Sequence, residues 1–214
     1  MATNTWDSWL PDVLPHVAGC PDIVATHEIK RAAQQFFRLS RAWRAVLDPL
    51  TLNVGEPELR VLSDAAESEI VRIEKAALGF EPLDPLSLDD VAATFGPDWA
   101  TQTGTPMAVT ALTPLSVRLV PYPEAAVDAD LMLTVSLMPS ETASGIPDTL
   151  YTAYREQIAT GAKSRLMLIK GQSWFDPKYG AAMGDVFAGD ISSARIAAAR
   201  ATGRGRFSAR PSFC

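Results

Sequence analysis

Cysteine is nearly absent: Cys20 and Cys214 are the two in 214 residues. A disulfide-stapled secreted scaffold would carry more, and Cys214 is the last residue, so reduced thiols are expected. Histidine is as scarce, with only His16 and His27. A catalytic Ser or Cys needs a histidine or comparable base to activate it. Both histidines fall in the first 27 residues, and no Gly-x-Ser-x-Gly elbow occurs. His16, Cys20 and His27, with Asp22 as a conceivable fourth ligand, straddle a Pro/Gly turn at spacings unlike those of zinc sites. Two surface histidines and one buried thiol are the expectation. Gly161-Ala162-Lys163-Ser164 lacks the first glycine of a phosphate loop and sits in a helical pattern, and no dinucleotide fingerprint follows a strand. No window approaches the roughly 18 consecutive apolar residues of a membrane helix. The start, MATNTWDSWLPDVLP, lacks the basic and apolar run of a secretory signal, which implies cytoplasmic synthesis. These absences predict no catalytic residue, no cofactor, no metal and no membrane span.

What the chain does have is core-forming material. Its hydrophobic fraction is 47% and its charged fraction 21%, ordinary values for a globular protein. The net charge of −6 is unevenly spread. Arg195, Arg200, Arg204, Arg206 and Arg210 follow the last acid, which leaves 14 basic against 25 acidic residues, or −11, in residues 1–194. An acidic body with a basic end suggests self-association or docking on an acidic partner. A general DNA binder would have a basic body.

Along the chain, residues 4–17 read as a short helix broken by Pro11 and Pro15, and Gly19-Cys20-Pro21 as a turn. From Asp22 a long helix runs to about Val46, with Ala25, Ile29, Ala33, Phe36, Ser40 and Trp43 at helical spacing. Asp48-Pro49 is expected to end it. Strand-like alternation follows at 50–54, 58–62 and 69–76. Ser87 and Asp90 form a capping box that opens a short helix to about Phe95. Strands are expected at 107–111, 116–120 and 130–138, the last two as a hairpin, with Leu131, Leu133, Val135 and Leu137 on one face. A helix over about 147–168 carries Leu150, Tyr151, Tyr154, Ile158 and Leu166, and Asp176-Pro177 starts a last helix to about 202. Gly180, Gly184 and Gly189 inside it either weaken it or mark a close helix approach.

Helices, then strands, then helices predict an α+β fold: a helical bundle from N- and C-terminal helices (1–49 and 146–202), a β-rich insertion (50–145) and an extended basic C-terminal arm (203–214). Adjacent Asp89 and Asp90 point apart on a helix, so capping is the expected role and not acid–base work. Phe36, Phe37, Trp43, Tyr151 and Tyr154 fit a helical core; Trp6 and Trp9 fit the core or a subunit contact. In the arm, Phe207 and Phe213 alternate with Arg204, Arg206, Arg210 and Pro211, the composition of a docking peptide. A solvated terminus and an arginine-rich nucleic-acid contact are the alternatives.

Several segments together resemble the small neck proteins of tailed bacteriophages. They are Phe36-Phe37-Arg38-Leu39-Ser40-Arg41-Ala42-Trp43-Arg44 with Leu47-Asp48-Pro49, Trp99 with Thr103-Gly104-Thr105-Pro106, Val117-Arg118-Leu119-Val120-Pro121-Tyr122-Pro123, Leu133 to Ser140, and Ala159 to Met167, with the Arg-rich end. The likeness spans most of the chain and carries no catalytic signature. It implies a head-to-tail connector adaptor: a homo-oligomeric ring, usually of twelve copies, beneath the portal protein. Such a ring extends the channel and offers the platform on which tail or nozzle proteins attach, and double-stranded DNA passes through without specific binding. It also implies a place in the virion neck after assembly in the host cytoplasm, with Arg204, Arg206, Phe207, Arg210 and Phe213 as the portal-docking arm. Another ring-forming tail-completion protein, or a nucleic-acid-binding module using the basic tail, are the competing expectations.

Overall fold

After Pro21 the chain buries Ala25, Ile29, Ala32, Ala33, Phe36 and Phe37, which recur at three- and four-residue spacing and so fall on one helical stripe. That stripe is the seam on which the rest of the protein is laid. A computed structural model describes residues 3–52, 58–60, 67–113, 116–124 and 129–202. Its elements in chain order are β1 (Thr3–Thr5), a 3-10 turn (Trp6–Trp9), α1 (Leu10–Val13), a second 3-10 turn (Leu14–His16), α2 (Asp22–Ser40), β2 (Arg44–Val46), β3 (Leu50–Thr51) and β4 (Glu58–Arg60). Then come β5 (Ser68–Leu78), β6 (Glu81–Pro85), α3 (Leu88–Phe95), a third 3-10 turn (Trp99–Thr101), β7 (Ala108–Thr113), β8 (Ser116–Val120), β9 (Asp130–Pro139), β10 (Gly145–Pro147), α4 (Asp148–Met167) and α5 (Pro177–Thr202).

The strands form a curled, mixed eight-stranded sheet in the order β2-β9-β5-β6-β7-β8-β4, with β3 also on β9, and a separate β1-β10 pair. Among the described residues the named strands pair antiparallel except β6 and β7, which run parallel and are joined through α3. Register shifts between Ile70 and Arg72 and between Ile73 and Lys75 interrupt the β5–β9 ladder, and such irregularities increase local twist.

This architecture corrects the expectation of a helical bundle carrying a β-rich insertion. The sheet is a wall of the main core. Leu131, Leu133, Val135 and Leu137 of β9 and Ile70 and Ile73 of β5 are buried in one cluster with Ile29, Phe36 and Phe37 of α2, Ile158 and Leu166 of α4, and Phe187 of α5. Strand alternation marked those residues as one face, but it says nothing about what covers that face. Here the covering layer is α2, which lies directly on β9.

Two local expectations also fail. The helix ends at Ser40, not near Val46: Arg41 takes left-handed angles (φ 54°), and Arg44–Val46 pair with Ser136–Thr134. Pairing to a sheet edge satisfies the backbone as well as a helix would, and it brings Trp43 against Phe37 at 5.6 Å between ring centroids. Asp48-Pro49 therefore lies beyond the helix. The 116–120 segment does not form a hairpin with 130–138; β8 pairs with β7 and β4, and β9 with β5, β2 and β3. Between them lie β5, β7 and β6, the last missed because Pro82 and Pro85 flank one buried Leu83.

Other expectations hold. Ser87 Oγ accepts the Asp90 amide at 3.2 Å and opens α3, which covers a small satellite cluster of Val91, Ala108 and Val120. Asp176 Oδ1 accepts the Tyr179 amide at 3.0 Å and opens α5. Trp6 and Trp9 are core residues. The Trp6 indole donates to Ala143 O at 2.7 Å and the Trp9 indole to Arg155 O at 3.1 Å. Arg155 in turn holds Asp12 by two bonds, 2.5 and 2.8 Å, which ties the first helical turns to α4 and keeps the guanidinium pKa above its ordinary value through those bonds. No described helix is long and apolar enough to cross a membrane.

The glycines of the α4–α5 contact separate the two explanations offered for them. A Cβ on Gly161 would lie 2.7 Å from the Phe187 ring, and one on Gly184 3.1 Å from Ser164 Oγ, whereas one on Gly189 meets nothing within 4 Å. Gly161→Ala should therefore destabilise by about 1–3 kcal/mol through overpacking. Gly189→Ala should stabilise by up to about 1 kcal/mol through helix propensity. Urea denaturation of the two variants at low protein concentration checks the contrast; equal effects would contradict the close-approach account.

Candidate assembly surfaces

The last helix owes its position to side chains that are missing. Gly161 admits the Phe187 ring to the surface of α4, and Gly180 brings its backbone within reach of Ser164, whose hydroxyl donates to Gly180 O at 2.8 Å. Phe187 then reaches Phe36 of α2, with centroids 6.1 Å apart, and Ile191 is buried one turn further on. Asp176 N donates to Met167 O at 3.0 Å and holds the connecting turn. These contacts use one edge of a 26-residue helix. Most of the rest of it faces solvent.

The outer stripe of α5 carries Tyr179 (40% exposed), Val186 (51%) and Ile196 (52%), interleaved with exposed Ala182, Gly189 and Ser193. An apolar stripe on an uncovered helix is the pattern of a contact surface. On the flank between α5 and α4, burial and, secondarily, the neighbouring Glu156 carboxylate raise the Asp190 pKa above its ordinary value.

Beside it, α2, α4 and α5 enclose a groove of about 520 Å³. Its lining is mainly apolar, with Leu39, Leu168, Phe187, Ala188 and Ile191, and Arg165 and Arg195 stand at its edges. Arg165 is committed inside the chain: Nε donates to Glu28 Oε2 at 2.6 Å and a terminal nitrogen to Gln35 Oε1 at 3.2 Å. The Arg195 guanidinium forms no hydrogen bond or ion pair among the described residues. A smaller polar cleft of about 290 Å³ adjoins the groove where Arg31, Arg38 and Arg165 face Glu69 and Glu141.

The sequence-derived candidates distribute as follows. His16 and His27 are exposed and Cys20 is buried. Burial first, and the nearby Asp22 second, push the Cys20 thiol pKa up. Among the described residues no three His, Cys, Asp or Glu side chains assemble as a metal site. Asp90 is engaged with the Ser87 hydroxyl at 2.6 Å. Gly161 to Ser164 lie within α4, in the helix–helix seam. Phe36, Phe37, Trp43 and Tyr154 form one connected aromatic cluster, and Tyr151 packs edge-on to Trp9 at 4.5 Å. Arg204, Arg206, Phe207, Arg210 and Phe213 lie outside the described residues, directly after α5.

Sequence reasoning missed the groove and its arginines. Arg165 lies about 130 residues from Gln35, so no local pattern could join them. The available signal was the small-residue set Gly161, Ser164, Gly180 and Gly184 on two consecutive helices.

No protein-family model matches the chain, and no curated protein matches it.

The Asp190 environment yields a signed prediction. A carboxyl whose folded pKa is raised is penalised when ionised, so it costs stability above that pKa and costs nothing once both folded and unfolded states are protonated. Asp190→Asn should therefore be more stable than the parent at pH 7, with the advantage fading as pH falls through the raised folded pKa and gone at a pH below the ordinary aspartate range. Paired urea titrations at the two pH values read this; a constant difference would contradict it.

Proposed function

We propose that this chain is a non-enzymatic structural subunit of a tailed-phage neck: a head-to-tail adaptor that forms a ring beneath the portal protein, extends the DNA channel and carries the tail. The observation that supports this reading most is α5. It is a long helix, fixed along one edge only, with Tyr179, Val186 and Ile196 exposed on its outer stripe, and it delivers the chain directly into the Arg/Phe segment 203–214. A helix that presents apolar surface and ends in a basic, aromatic segment is built to be covered by other chains.

The charge distribution agrees. A ring whose bodies each carry −11 repels DNA phosphates, so the genome slides through without specific contacts. The five arginines that follow the last acid lie at and before the end assigned to portal docking. The resemblance of residues 36–49, 99–106, 117–123, 133–140 and 159–167 to neck proteins supports the same assignment.

In this reading Arg204, Arg206 and Arg210 pair with acids of the portal protein while Phe207 and Phe213 fill its pockets. Removing residues 203–214 should abolish capture by the portal protein of the same phage in a pull-down, while the circular dichroism spectrum and unfolding midpoint stay within error of the full chain. Capture undiminished by the truncation would remove the docking role. Salt-dependent DNA binding by the isolated full chain would favour the nucleic-acid reading instead.

A further inference from the structure

The turn between β5 and β6 places a phenylalanine where folding gives it no partner. Gly79 has φ 59°, a left-handed conformation suited to glycine, and the next residue, Phe80, is fully exposed (104%). Exposed Glu81 follows it, and the Glu81 carboxylate has no ion pair or hydrogen bond among the described residues. Asp130 lies beside the turn, its carbonyl accepting the Gly79 amide at 2.9 Å. The tip is thus an aromatic knob in an acidic setting.

The groove between α2, α4 and α5 is its complement: an apolar recess with an uncommitted cation, Arg195, at the edge. One chain cannot bring the two together. β5 has 11 residues, so its ends are about 30 Å apart at roughly 3.3 Å per residue. Glu69, at the start of β5, lines the polar cleft that shares Gln35 and Arg165 with the groove, whereas Phe80 follows the other end.

We propose that Phe80 seats in the α2/α4/α5 groove of a second copy of this chain, with Glu81 paired to that copy's Arg195. A knob and a hole on different parts of one subunit make a head-to-tail contact. Such contacts repeat from copy to copy and close into a ring when the rotation allows. The inference rests on the ring reading above and names the surfaces by which the ring is made.

The test uses the full chain with Cys214→Ser, so that buried Cys20 is the only remaining native thiol. Phe80→Cys and Ala188→Cys are introduced separately and together, and oxidised in the presence of the phage's portal protein. Ala188 is exposed and lines the groove. The double variant should give a reducible ladder of dimer, trimer and higher species, and an equimolar mixture of the two single variants a heterodimer. Each single variant alone should stay monomeric on a denaturing gel. In parallel, Glu81→Arg and Arg195→Glu should each raise the concentration needed for ring formation about tenfold or more, and the two changes in one chain should restore it.

Rings that form normally with Phe80→Asp, shown by circular dichroism to be folded, would overturn this contact and leave the ring reading standing. Cross-linking of Phe80→Cys to itself would overturn it in favour of two-fold pairing. If the parent chain forms no oligomer with or without portal, the ring reading and this contact both fall.

Discussion

Phe187 can lie against α4 only because residue 161 has no side chain; a Cβ there would stand 2.7 Å from its ring. That single steric allowance links three helices, since Phe187 also meets Phe36 and Phe36 meets Tyr154 at 5.0 Å. It lets α5 attach by Phe187 and Ile191 while much of its length faces outward. Gly161 and Phe187, with Gly184, line the groove. The exposed stripe, the groove and the departure point of the C-terminal segment all follow from two helices approaching at glycine.

Charge is organised around that frame. Within the body, the arginines on α4 are spent on internal partners: Arg155 on Asp12, and Arg165 on Glu28 and Gln35. They lock the N-terminal turns and α2 to α4 at partly exposed sites, where such pairs contribute more to orientation than to stability. Arg195 has no such partner among the described residues, and the charged side chains that follow it are all arginines. The proposed division of labour is a body that excludes phosphate and an end that seeks acids.

Local chemistry was legible in the sequence. The Ser87–Asp90 cap, the Asp176-Pro177 start of α5, the apolar face of β9 and the burial of Phe36, Phe37 and Trp43 all depend on neighbours within a few positions. Long-range choices were not. Trp43 continues the helical spacing of α2, yet the chain leaves the helix at Arg41 because an edge of β9 was available 90 residues further on. The 116–120 and 130–138 segments looked like a hairpin because they are adjacent and both alternate; in the sheet β5, β6 and β7 lie between them, and the prolines of β6 hide that strand. The helical-bundle expectation failed for the same reason: periodicity shows which side of an element is buried, not which element buries it. The groove and Phe80 were invisible because one is assembled from three helices and the other acquires meaning only from its complete exposure.

The central claim is that this chain works as a ring on a portal. Electron microscopy with absolute mass determination of the pure protein, alone and mixed with the portal protein of its phage, tests it most directly. The account predicts closed rings of many copies seated on the portal, with the ring axis along the DNA channel. A monomer in both preparations, with no portal contact, would contradict it.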